Sequence, residues 1–164
     1  MIKGLHHNAY RCRDSEETRK FYQDFLGLPL VEAFEIKETK TGRTTGTLHS
    51  FYRMDDGSCL AFFEAPDMDF EFKPQHDYDL HIALEVSPAD LETMLAKGKA
   101  ARIETRGVSD HRFIRSIYFR DPNGYVIELT AKVPGHEHAL DNPQSEAAGK
   151  LAAWQERKRT GATA

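Results

Sequence analysis

The chain has little cysteine, two residues in 164, and a single tryptophan. Cys12 and Cys59 show no CxxC pair and no zinc-type spacing, so neither a disulfide framework nor a cysteine-based metal site is expected. Two isolated thiols suit a reducing compartment, and the expected location is the cytoplasm. No apolar run approaches the roughly 20 residues that cross a bilayer, and no charged-then-apolar leader opens the sequence. Membrane-spanning and secreted classes are therefore set aside. Charge of one sign is also lacking: 22 Lys and Arg face 26 Asp and Glu, for a net charge of −4. Basic residues are scattered among acids, which leaves no electrostatic footprint for nucleic acid.

The apolar fraction, 40%, is ample for a core that needs no staples at this length. One domain over residues 1–133 is expected, with modules at 1–66 and 79–133, followed by a tail over 134–164. The two modules read alike in their order of elements. Residues 5–14 form a short strand ending in a polar turn, and 80–86 a second strand with a histidine near its start. A helix follows each. Asp14 with Glu17 makes a capping-box pattern ahead of Thr18, Phe21, Tyr22, Phe25 and Leu26, spaced for one helix face. Ser87, with Pro88 at the first helical position, opens a helix carrying Leu91, Met94 and Leu95. Gly27 and Gly98 suit the two helix ends. Extended segments follow at 30–37, 47–54 and 59–64, and at 101–106, 113–120 and 125–129. Asp56-Gly57 and Asn123-Gly124 supply the hairpin turns. The fold class is α+β: two paired βαβββ modules, cupped sheets inside and helices outside. A tail helix is expected around 145–158, with Leu151 and Trp154 on one side.

Strand alternation sorts the candidate site residues by face. Leu5, His7, Ala9 and Arg11 share one face of the opening strand. His81 opposes the apolar set Ile82, Leu84 and Val86, and so points into whatever the sheet encloses. Each module closes on two apolar residues and a glutamate, Phe62-Phe63-Glu64 and Val126-Ile127-Glu128. Two matching halves, each presenting a histidine and a glutamate, place His7, Glu64, His81 and Glu128 as four converging ligands. Two neutral imidazoles with one or two carboxylates suit Fe, Zn, Ni, Co or Mn, with solvent positions left for a substrate. Arg11 is more simply a surface arginine, His6 a helix-side or supporting group, and His136-Glu137-His138 lacks the geometry of a ligand pair. His49 and His76 have no evident partner.

These segments resemble the vicinal oxygen chelate superfamily, which includes glyoxalase I, extradiol dioxygenases, fosfomycin-resistance proteins and bleomycin-resistance proteins. The resemblance is carried by His7–Asp14, by Phe-Tyr-Gln-Asp-Phe-Leu-Gly-Leu at 21–28, by Leu-His-Ile-Ala-Leu-Glu-Val at 80–86, and by Asp-Pro-Asn-Gly-Tyr-Val-Ile-Glu-Leu at 121–129. It implies a cupped sheet around a divalent metal, with His7, His81 and Glu128 as ligands. It also implies homodimerisation and a small substrate that chelates through adjacent oxygens. In glyoxalase-like members a carboxylate at the Glu64 place is a fourth ligand or base. The resemblance then implies a lyase, isomerase or epimerase, with Glu64 or Glu128 moving a proton next to a chelated carbonyl. The run from His111 through Tyr118 to Glu128 is similar instead to the extradiol dioxygenase signature, although Ser109 departs from it. That alternative is a one-domain Fe(II) ring-cleaving enzyme, with His111 as acid/base and Tyr118 as hydrogen-bond donor. A ligand-sequestering module without metal is the third reading.

Overall fold

Asp14, three residues beyond the first strand, starts the first helix. Its extended backbone turns the chain, and its carboxylate accepts the Glu17 N–H at 2.7 Å, satisfying a donor with no partner inside the helix. In the computed structural model, which describes residues 1–141 and 146–161, the same logic recurs at Ser87, whose hydroxyl accepts the Asp90 N–H. The elements run β1 (His7–Arg11), α1 (Ser15–Arg19), β2 (Leu30–Glu38), β3 (Thr44–Arg53), β4 (Cys59–Glu64), β5 (Ile82–Glu85), α2 (Pro88–Ala100), β6 (Thr105–Asp110), β7 (Ile114–Arg120), β8 (Val126–Lys132), α3 (His136–Asp141) and α4 (Ala147–Thr160). Helix α1 continues as a π-wound turn over Lys20–Phe25, where the Leu26 N–H reaches the Phe21 carbonyl five residues back.

The strands make two four-stranded sheets with the same order, β1-β4-β3-β2 and β5-β8-β7-β6. In each the first strand runs parallel to the last and the other pairs are antiparallel. The helices cover one face of each sheet. Tyr22, Tyr52, Leu60 and Phe62 are fully buried behind sheet one, and Leu91, Ile117, Phe119 and Ile127 behind sheet two. Each contributes about 1.5–3 kcal/mol of apolar burial. The two halves are joined through the turn that precedes β8. Asp121 accepts from the buried Tyr22 hydroxyl at 3.0 Å, Asn123 from the Arg13 N–H at 2.8 Å, and the Tyr125 hydroxyl donates to the Arg11 carbonyl.

Two sequence expectations are corrected. Gly98 does not end α2: it lies inside the helix, where a Cβ would stand 2.4 Å from the Phe119 ring and 2.7 Å from the Thr105 hydroxyl. It is a close-packing residue. Because α2 runs on to Ala100 and turns through Arg102 in a left-handed conformation, the strand expected at 101–106 begins only at Thr105. The tail helix lies at Ala147–Thr160, and the expected start at 145 falls outside the described residues.

Candidate functional site

The open face of sheet two carries the larger group of expected site residues. His81 precedes β5, and its Nδ1 lies 3.0 Å from the Asp77 carbonyl oxygen. A carbonyl only accepts, so Nδ1 carries a proton, and in the neutral ring Nε2 is the nitrogen left free to ligate. That Nε2 faces Oε2 of Glu128 at 3.4 Å, and the Glu128 side chain is only 7% exposed. Tyr118 lies beside Glu128 in the β7–β8 register, with its hydroxyl 3.4 Å from Oε1 and 2.8 Å from Nε2 of His111. Burial first, and then the Glu128 charge, raise the Tyr118 phenol above its usual pKa. His81, His111, Tyr118 and Glu128 thus line one open cavity of about 790 Å³. Arg106 lies over the Tyr118 ring, 5.6 Å from its centre, and pairs with Asp77 at 2.6 Å. The Arg106 guanidinium holds the Asp77 carboxyl below its ordinary range.

Sheet one presents the other histidine. His7, Ala9 and Arg11 stand beside Cys59, Ala61 and Phe63, and this face is lined with rings. His7 packs 5.4 Å from Phe51, and His49 stacks on Phe63 with centroids 3.7 Å apart. The His6 and His7 Nδ1 atoms are 2.7 Å apart, so one ring donates to the other. His49 is anchored by its own Nδ1–H to the Phe62 carbonyl. Among the described residues the ring partners of His7 are His6, His49 and Phe51, all in the first module. Among the described residues no three His, Cys, Asp or Glu side chains lie together as a metal-holding group.

Glu64 is not brought to either face that carries a histidine. Neighbouring strands align Ala61 beside Ala9, two residues after His7, and Glu128 beside Ala83, two residues after His81. The position matching Glu128 is therefore Ala61. Glu64 lies three residues further on and turns to the helix side, where its carboxylate accepts the Ser15 N–H at 2.8 Å. The negative charge there complements the start of α1. Counting from the turn glycines would have found this, since Ala61 and Glu128 each follow Gly57 or Gly124 by four residues. Sequence reasoning also missed His49 and Asp77. Alternation on β3 puts His49 with Phe51, whereas nothing local marks Asp77 as the group that orients His81. Arg11 donates to the Met68 carbonyl at 3.0 Å, and His136 and His138 lie on α3.

The family model of the Glyoxalase/Bleomycin resistance protein/Dioxygenase superfamily matches residues 4–129, and the chain belongs to that superfamily. Among curated proteins it is similar to the metallothiol transferase FosB of Shouchella clausii, with 26% identity over 140 residues, covering 79% of this chain and 80% of that protein. Among solved structures it resembles the fosfomycin resistance protein FosX of Listeria monocytogenes, determined with Mn(II) and sulfate, at a TM-score of 0.62 and 22% identity, covering 84% of this chain and 99% of that one. A glyoxylase/bleomycin resistance protein/dioxygenase domain from Frankia sp. EAN1pec gives a TM-score of 0.65 at 18% identity, over 84% of this chain and 98% of that one. These structures share the fold, two four-stranded mixed sheets with flanking helices. Among the described residues no helix is long and apolar enough to cross a membrane.

Proposed function

We propose that this protein is a metal-dependent enzyme acting on a small molecule chelated through adjacent oxygens, with His81 and Glu128 of one copy and His7 of a second copy as the ligands. Glu128 carries the reading. It is a nearly buried carboxylate whose polar neighbours are the lone pair of His81 and the Tyr118 hydroxyl, and no Lys or Arg pairs with it among the described residues. A buried carboxylate without a cation is costly, and a divalent ion between it and an imidazole removes that cost. The Mn(II) in the FosX structure supports a cation of this kind, with Fe, Ni, Zn and Co as the competitors. His7 sits among first-module rings, so a second copy is the natural source of the third ligand in a two-fold pair.

A cation held there by His81, Glu128 and the second copy's His7 would polarise the oxygens that chelate it. His111 and Tyr118 form the acid–base pair beside it, since the 2.8 Å bond lets a proton pass between imidazole and phenol. Arg112, which lines the cavity and has no acidic partner among the described residues, favours an anionic substrate. Addition of a thiol or water to a chelated epoxide is the favoured reaction: the new C–S or C–O bond forms as a ring C–O bond breaks, and the proton given up by the thiol or water passes through the His111–Tyr118 pair to the ring oxygen. FosB is named a metallothiol transferase, and Glu64, the base assigned to a glyoxalase-type proton transfer, is engaged at the start of α1. A lyase or isomerase reaction would have to use His111 or Glu128 instead. FosB and FosX lend no support to ring cleavage.

Metal content after competitive loading with Mn(II), Fe(II), Ni(II) and Zn(II) tests the site. Wild type should hold one ion per site, and His7→Ala, His81→Ala and Glu128→Gln should each lose it. Mixing the His7→Ala and Glu128→Gln chains should restore roughly a quarter of the wild-type metal, because half of the randomly formed pairs carry one intact site in two. No metal in the mixture would exclude a site shared between copies. No metal in wild type would leave a ligand-binding module. With metal in place, loss of a low-molecular-weight thiol in the presence of fosfomycin checks the transfer reaction.

A further inference from the structure

On the helix side, away from the candidate site, the two modules leave a trough of about 780 Å³ between them. Its walls are apolar and half-buried: Leu26 and Leu28 after the first helix, Met54 at the β3–β4 turn, Leu84 on β5 and Val86 just after it, and Met94 of α2. The rim is acidic. Asp55, Asp56, Glu85 and Asp90 stand there, and Lys132, the base among the lining residues, pairs with Glu85 at 3.1 Å.

The tail helix α4 has the opposite character. Leu151 and Trp154 lie one turn apart on one face and are 60% and 47% exposed, an arrangement that calls for a cover. Lys150, Arg157, Lys158 and Arg159 outnumber the single acid within the helix, Glu156, and three of them crowd its last turn. Every described residue of the helix is exposed, and its described side-chain bonds and ion pairs stay within the segment 146–160. It stands clear of its own chain.

We infer that the acidic apolar trough receives the α4 helix of a second copy of the chain, with Leu151 and Trp154 against the Leu26–Met94 walls and the basic last turn against the Asp55–Glu85 rim. The match is one of both surfaces, Leu151 and Trp154 against an apolar floor and a net-basic last turn against a net-acidic rim. In a two-fold pair the exchange is reciprocal, each copy giving a helix and receiving one. The inference is independent of the metal and of the reaction.

Trp154 is the only tryptophan, so the emission of the intact protein reads this helix alone. Wild type at dimer-forming concentration should emit to the blue of an exposed tryptophan. A chain with Asp55→Lys and Glu85→Lys, two exposed rim positions, should emit to the red. Met94→Glu, a single change in the wall, is the second way to spoil the trough. The deciding sample mixes the rim variant with an excess of Trp154→Phe chains whose trough is intact. Blue emission in the mixture establishes docking between copies, because the only intact trough belongs to the other chain. Red emission in wild type, or blue emission in wild type with none recovered in the mixture, overturns the inference.

Discussion

The two modules share strand order, register and a histidine on their open faces, and yet their chemistry diverges at the matching positions. Where module two has Glu128 and Tyr118 side by side, module one has Ala61 and Phe51. Thr130 and Ser116 of the second module correspond to Phe63 and His49 of the first, which stack as rings. One module contributes an imidazole and an aromatic wall, and the other an imidazole, a carboxylate and a phenol. Repetition of a scaffold repeats the positions from which side chains can reach a site. It does not repeat the side chains. The reason is energetic: Ala61 is fully buried, and its strand neighbour on β3 is Phe51, so a carboxylate there would have neither cation nor water.

The sharpest way to break this contrast is to force the modules to match. Ala61→Glu should destabilise the fold by about 3 kcal/mol or more, as expected for an unpaired buried charge, read as a shift in the urea midpoint. Gly98→Ala comes next. Its added methyl meets Phe119 and Thr105, and overpacking should cost about 1–3 kcal/mol despite alanine's better helix propensity. An unchanged midpoint would mean that the packing yields. Exchanging the ring pair sharpens the comparison at the site itself. Tyr118→Phe should weaken Mn(II) binding by about 10-fold through loss of a group that orients Glu128, while Phe51→Tyr in the other module should leave binding unchanged. Equal effects would erase the functional difference between the modules.

The smallest effect concerns the joint between them. Burial raises the Asp121 pKa, against the opposing hydrogen bonds from Asn123, Tyr125 and Tyr22. The native state therefore holds this proton more tightly than the unfolded chain does. The resulting contribution is fully present below the unfolded pKa of 3.8 and is lost as pH rises through the raised native value. Asp121→Asn should remove that fall, so the stability difference between variant and wild type should change across this window. A difference that stays flat with pH would show that Asp121 titrates alike in both states.

Much of this was legible along the chain because it depends on near neighbours. Asp14 and Ser87 announced their helices through caps that act over three residues. Alternation placed His81 and Glu128 on one face, and caps, turn residues and the internal repeat supplied the order of elements that the two sheets then displayed. Glu64 shows where local reading stops. Its motif looked like that of Glu128, but a strand pair counts residues across the sheet, and a shift of three reverses the face. Gly98 was read as a helix end because glycine commonly sits there, and only the approach of Phe119, twenty-one residues on, gave it another purpose. The sequence by itself determined the element types and the two-module order, since these follow from propensity, periodicity and capping over a few residues. Tertiary structure alone decided that the Glu64 carboxylate goes to the start of α1, that Phe119 closes on Gly98, and that among the described residues His7 joins no ligand group with His81 and Glu128 in one copy. Those outcomes depend on register and on contacts between distant segments, which no local pattern encodes.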